Sequence, residues 1–163
     1  MQRGIATLEI IFGSMIIAVL VSYTISNVER VLDRAALDYE TKRLYSELRF
    51  LQELGRSSSF NIAGTSRNDL NTTEPLFMQI TSAELKYQIF RGNTPLREAH
   101  QMQNIIRIEF KKSVPSNRII FDDTGQPSVV SNSLILTSRL GQKNFIKFDP
   151  VGRIRGSLTD EDD

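Results

Sequence analysis

The sequence predicts an α+β fold in which one long N-terminal helix, transmembrane in its first half and amphipathic in its second half, packs on an antiparallel C-terminal β-sheet. Three observations carry this. Ile10 to Ile25 is a run of sixteen residues without a charge. Apolar residues then recur at three- and four-residue spacings as far as Leu51, the period of a helix with one face against a core. Beyond Pro75 the pattern changes to alternation broken by short Gly-, Asp- and Asn-containing turns, the period of half-buried strands.

Extending the apolar run back to Ile5 gives twenty-one residues interrupted only by Glu9. At ~1.5 Å per residue this length crosses a ~30 Å hydrocarbon core once. A secretory signal would be cut after such a run, at small residues, yet SNVERVLDRAALDYE follows it. Arg3 stands alone before the span, while Arg30, Arg34, Lys42 and Arg43 follow it; charge bias alone would place the C-terminal part in the cytoplasm. Past the span, Val28, Val31, Leu32, Ala35 and Tyr39, then Leu37, Leu44, Leu48 and Leu51, continue the helix. Asp38 with Lys42 and Arg43 with Glu47 are spaced as i,i+4 ion pairs. Gly55, followed by Arg56 and three serines, is expected to stop the helix. The helix from Ile5 to Leu54 would then be about 75 Å long.

The residues before the span are Met1-Gln2-Arg3-Gly4-Ile5-Ala6-Thr7-Leu8-Glu9. A glycine lets a protease approach the backbone closely, and a carboxylate inside an apolar span costs ~2.5 to 3.5 kcal/mol on insertion scales, so it is seldom kept without a task. This segment resembles the N-terminal signature of type IV prepilins and pseudopilins: a short basic leader, a glycine at the cut, and a glutamate fifth in the mature chain. The resemblance implies that a prepilin peptidase cuts between Gly4 and Ile5, that the new Ile5 amine is N-methylated, and that Glu9 serves assembly by pairing with that amine on a neighbouring subunit. Geometry alone leaves the amine of the same helix, four residues away, as an equal partner. The family commonly begins its mature chain with Phe; here Ile5 and Ala6 come first and Thr7-Leu8 is displaced by one. No proline precedes Pro75, which leans toward a minor subunit.

Residues 56–75 are rich in Ser, Thr, Asn and Gly and read as a surface connection. Alternation then marks strands in which Leu85, Tyr87 and Ile89, and later Ile106, Ile108 and Phe110, face one side. Shorter runs at 118–121, 133–138, 144–148 and 153–155 are separated by DDTGQP, RLGQ and DPVG, as in an antiparallel meander. The order Ile119 to Gly125, Leu134 to Leu136, Gly141, Phe145 to Phe148 and Gly152-Arg153-Ile154-Arg155 is similar to the end of the GspH/FimT class of minor pseudopilins. Residues 56–104 resemble nothing in that class.

At 163 residues the chain has room for one folded unit. A formal charge of +1 gives no overall footprint for an acidic polymer, and without cysteine there is no disulfide or thiolate metal site. His100 is the sole histidine, and no nucleophile motif accompanies it. Neither Asp122-Asp123 nor the tail Asp160 to Asp163 has the ligand ladder of a calcium loop. No catalytic residue, cofactor or metal is therefore expected. Pilus-like machines of the resembling family also take up DNA. Between Ile105 and Arg155 nine basic residues stand against four acidic ones, but Phe110, Phe121, Phe145 and Phe148 fall at core positions of strands. The segment reads as an ordinary polar sheet face rather than a DNA groove.

The expected organisation is a leader at 1–4, a transmembrane and assembly helix at 5–26, its amphipathic continuation at 27–54, a connection at 55–75, the sheet domain at 76–158 and an acidic tail at 159–163. The resemblance implies a minor pilin or pseudopilin, spanning the inner membrane once with its C-terminal domain outside the cytoplasm. Its implied partners are other pilin subunits, the prepilin peptidase, an inner-membrane assembly platform and the lipid bilayer. The other reading is an uncleaved signal anchor carrying an extracytoplasmic binding domain.

Overall fold

The computed structural model describes residues 2–62, 75–122 and 124–157. Helix α1 runs from Gln2 to Ile62 without a break, about 90 Å by the standard rise. Nine strands follow among the described residues. β1 (Leu76–Thr81), β2 (Lys86–Arg91), β3 (Thr94–Pro95), β4 (His100–Gln101) and β6 (Arg118–Ile120) form one sheet, ordered β3-β2-β1-β6 with β4 on the edge of β2. β5 (Ile105–Phe110), β7 (Asn132–Ser138), β8 (Lys143–Phe148) and β9 (Ile154–Ser157) form a second, ordered β5-β7-β8-β9. All of these neighbouring strands pair antiparallel. The sequence pattern predicts one sheet. The chain divides it in two because β6 returns to β1 while β5 pairs with β7, and partner choice is not encoded in local alternation.

One face of α1 closes both sheets. Leu37, Leu44, Leu48 and Leu51 are fully buried and meet Met78, Ile80 and Ile89 of the first sheet and Ile108, Leu134, Leu136, Ile146, Phe148 and Ile154 of the second in one core. Val28, Val31, Leu32, Ala35 and Tyr39 lie roughly on the opposite face at ~100° per residue, and all five are exposed. The sheets therefore use only one of the two apolar stripes.

Gly55 does not end the helix. It lies eighteen positions after Leu37 in the chain, about five turns, and so falls on the buried stripe. A Cβ there would stand 3.3 Å from the Asp122 carbonyl and 3.5 Å from the Phe121 Cβ. The glycine lets the chain after β6 lie directly on the helix, which continues to Ile62; residues 63–74 of the expected connection lie outside the described residues.

Two ion-pair expectations change partners. Asp38 pairs with Arg34 rather than Lys42, and Glu47 pairs with Arg97, across to the sheet domain, rather than with Arg43. In β5 the core residues are Ile105 and Ile108, while Ile106 points outward. The register against β7 shifts between Ile105 and Arg107, and a bulge of this kind reverses the facing of one residue.

Candidate functional site

The feature outside the core is the first half of α1. No residue of its apolar window is buried, and among the described residues it is the one helix long and apolar enough to cross a membrane. Three of its hydroxyls bond back to the helix: Ser14 donates to the Ile11 carbonyl at 2.9 Å, Ser22 to Ala18 at 2.8 Å and Thr24 to Leu20 at 2.8 Å. Hydroxyls bonded in this way can enter lipid without exposing a donor. Glu9 is exposed at the start of this segment. Gly4 and Ile5 lie in the backbone of α1 about one turn before it, and the Ile5 side chain lies outside the described residues.

The exposed stripe of Val28, Val31, Leu32, Ala35 and Tyr39 continues the apolar surface of the span into the part of α1 that carries the sheets. From Glu9 to Tyr39 the helix thus offers an uninterrupted apolar side that nothing in the chain covers among the described residues. What holds that side in a fixed relation to the sheets is a series of polar pins on the buried face. Asp33 accepts from the Ser138 hydroxyl at the end of β7. Asp38 and Thr41 both accept from the Asn144 amide of β8, at 2.8 and 3.1 Å. Glu40, only 3% exposed, meets His100 Nε2 at 2.8 Å and accepts from the Gln103 backbone N–H at 3.1 Å. His100 thus ties β4 to the helix.

A further pin is Gln52, which is fully buried. Its amide nitrogen donates to the carbonyls of Gly125 and Gly152, each at 2.6 Å. Both glycines have φ near +80° (81° and 77°), and they close the turns after β6 and β8. A Cβ on Gly152 would lie 2.9 Å from the Gly125 carbonyl oxygen, so the two turns can meet over Gln52 only without side chains. The first turn is shaped by Asp122, whose Oδ1 accepts from the Thr124 hydroxyl at 2.7 Å and from the N–H groups of Thr124 and Gln126 at 3.0 and 2.7 Å. The Thr124 hydroxyl, with those backbone donors, holds the Asp122 carboxyl below its usual range.

A carboxyl with a depressed folded pKa stabilises the fold above its unfolded pKa and loses that contribution as pH falls through the folded value. Asp122→Asn is therefore expected to flatten the acid limb of a stability profile taken by urea titration between about pH 2 and 7. An unchanged acid limb would show that the turn does not depend on the charge.

Sequence reasoning found the glycines but not the pins. Gln52 follows Leu51 on the apolar stripe, and a polar residue in register with buried leucines was the available signal. Of the core aromatics expected, Phe121, Phe145 and Phe148 are buried and Phe110 packs half-buried against the core. Several basic groups around them are engaged: Arg107 with Glu109, Arg155 with Asp149, and Arg118 over the ring of Phe77. Asp123 and the acidic tail lie outside the described residues.

Among solved structures the chain is similar to the type IV minor pilin FimU of Pseudomonas aeruginosa strain PAO1, at a TM-score of 0.55 and 14% sequence identity over 76% of this chain and 90% of that one. The fold is pilin-like. At this identity the likeness speaks for the fold alone. No protein-family model and no curated protein sequence matches the chain.

Proposed function

We propose that the chain is a minor pilin or pseudopilin, a structural subunit that enters a type IV pilus or related pseudopilus through α1. The observation that carries this reading is a pilin-like fold whose helix keeps its apolar first half and a second apolar stripe outside its own core. A sheet domain that needed only an anchor has no use for apolar surface beyond the bilayer. A filament subunit does, because its helix must bury that surface against the helices of its neighbours. In this reading residues 1–4 are a leader removed by a prepilin peptidase, Ile5 is the new and methylated N-terminus, and residues 5–26 hold the protomer in the inner membrane with the sheets outside the cytoplasm. An assembly platform then extracts the protomer into a filament. Glu9 pairs there with the Ile5 amine of an adjacent subunit.

The test is the mature N-terminus. Expressed with an active prepilin peptidase, the membrane-extracted protein is expected to begin at Ile5 by intact mass and N-terminal sequencing, and Gly4→Phe is expected to leave it uncut. A side chain at that position stands where the protease must meet the backbone. A chain still beginning at Met1 beside a working peptidase would refute the pilin reading and leave the uncleaved anchor.

A further inference from the structure

At the end of the sheet domain nearest the span, the turn joining β7 to β8 stands beside the helix. Its tip presents Leu140, a large apolar residue that is 52% exposed, between the exposed Arg139 and Gly141. The tip is fixed in place. Gly141 donates to the Ser138 carbonyl at 3.0 Å and the Ser138 N–H to the Gln142 carbonyl at 2.9 Å. The Ser138 hydroxyl is bonded to Asp33 of α1. Between tip and helix lies an open groove of about 710 Å³ shared by Arg139, Leu140, Glu29 and Leu32, of which Leu32 is 63% exposed.

The height of this tip above the span follows from the helix. Glu29 is four residues past Ile25 and Leu32 seven, about 6 and 10 Å along the axis. The headgroup layer adds ~5 to 7 Å on each side of the hydrocarbon core. A helix tilt of ~20° is ordinary and toward the tip would lower it by a few ångström. The tip, level with Glu29 to Asp33, therefore comes to the headgroup layer, and an exposed leucine flanked by Arg139 and Lys143 has the composition of a surface that seats there. The leucine meets the acyl boundary and the cations meet lipid phosphates.

We propose that the β7–β8 tip, residues 139–142, is a footing by which the unassembled subunit rests its sheet domain on the lipid headgroup layer beside its own span. This rests on reading residues 5–26 as a bilayer span. The footing gives the protomer a fixed stance in the membrane, and it must be lifted when the subunit is drawn out.

Because the chain has no cysteine, a single introduced thiol can carry a fluorophore without competition. Leu140→Cys, Val151→Cys and Val21→Cys are labelled in the full chain with an environment-sensitive nitrobenzoxadiazole dye. Each is reconstituted into vesicles of phosphatidylethanolamine and phosphatidylglycerol with nitroxide lipids spin-labelled at the headgroup or in the acyl chain. Val151 is an equally apolar exposed turn residue at the far end of the sheets, where Gly152 meets Gln52. The expected result is a headgroup-nitroxide loss of emission at 140 about threefold greater than at 151, reduced by Arg139→Glu, with 21 quenched from the acyl chain. If 140 behaves like 151 while 21 is quenched, the footing is wrong and the span stands. If 21 is not quenched, the span reading fails and takes the footing with it. A label at 140 that is shielded from water only at high protein concentration, and not quenched by lipid, would assign the groove to a second copy and overturn the proposal.

Discussion

Gly152→Ala is expected to destabilise the sheet domain by about 3 kcal/mol or more, whereas Gly141→Ala should cost about 1 to 2 kcal/mol. Both glycines close hairpins of the second sheet with the same backbone conformation, φ of 77° and 79°, so the left-handed penalty is common to both. Their surroundings differ. An added Cβ on Gly141 meets nothing within 4 Å, and one on Gly152 meets the Gly125 carbonyl oxygen at 2.9 Å. Relief of that clash must part the two turns and break at least one of the bonds that the buried Gln52 makes to them. A buried amide left with an unmade bond costs about 1 to 3 kcal/mol. Urea titration of the full chain in mild detergent, followed by the circular dichroism of the sheets, measures the difference. Equal losses for the two variants would mean that the turns are not pressed together over Gln52.

How much of this was legible in the sequence depended on whether the cause was local. The apolar first half of α1 follows from an uncharged run, β2 from alternation, and β7 and β8 from short apolar runs set off by glycine-containing turns. The left-handed turns at Gly125, Gly141 and Gly152 were legible because only glycine takes that conformation without strain. β1 was missed. Its sequence LFMQIT is a nearly continuous apolar run, since Met78 and Ile80 enter the core while Phe77 is covered on the other face by Phe90 and Arg118. A strand covered on both sides does not alternate. Gly55 was read as a helix stop because its neighbour in space, the chain at Phe121 and Asp122, is far away in sequence. The same distance hid the pins: only the fold brings Ser138, His100 and the glycine carbonyls to Asp33, Glu40 and Gln52. For the N-terminal site the motif carried all the information, and α1 contributes the placement of Glu9 about one turn after Gly4 and Ile5 on one helix.

Glu9→Ala is expected to leave membrane insertion intact and to abolish incorporation into filaments. Insertion should if anything improve, because the substitution removes a carboxylate that costs ~2.5 to 3.5 kcal/mol in an apolar span. Assembly should suffer because, in the proposed filament, the Ile5 amine of the neighbour loses its counter-charge in a dry helix bundle. Leaving one member of a desolvated pair alone costs about 3 to 5 kcal/mol, more than a hundredfold in the protomer–filament equilibrium at ~1.4 kcal/mol per decade. The assignment of the partner can be tested by coupling. Gly4→Phe keeps the leader attached, so no free amine exists at Ile5, and the pair is broken from its other side. Each single change should therefore empty the sheared-filament fraction, and the double variant should be no worse than either alone, as expected for two groups acting as one pair. Wild-type incorporation of Glu9→Ala would remove the pairing role. A double loss equal to the sum of the single losses would show that the leader and the carboxylate act on assembly independently, with Glu9 answering to some cation other than the new terminus.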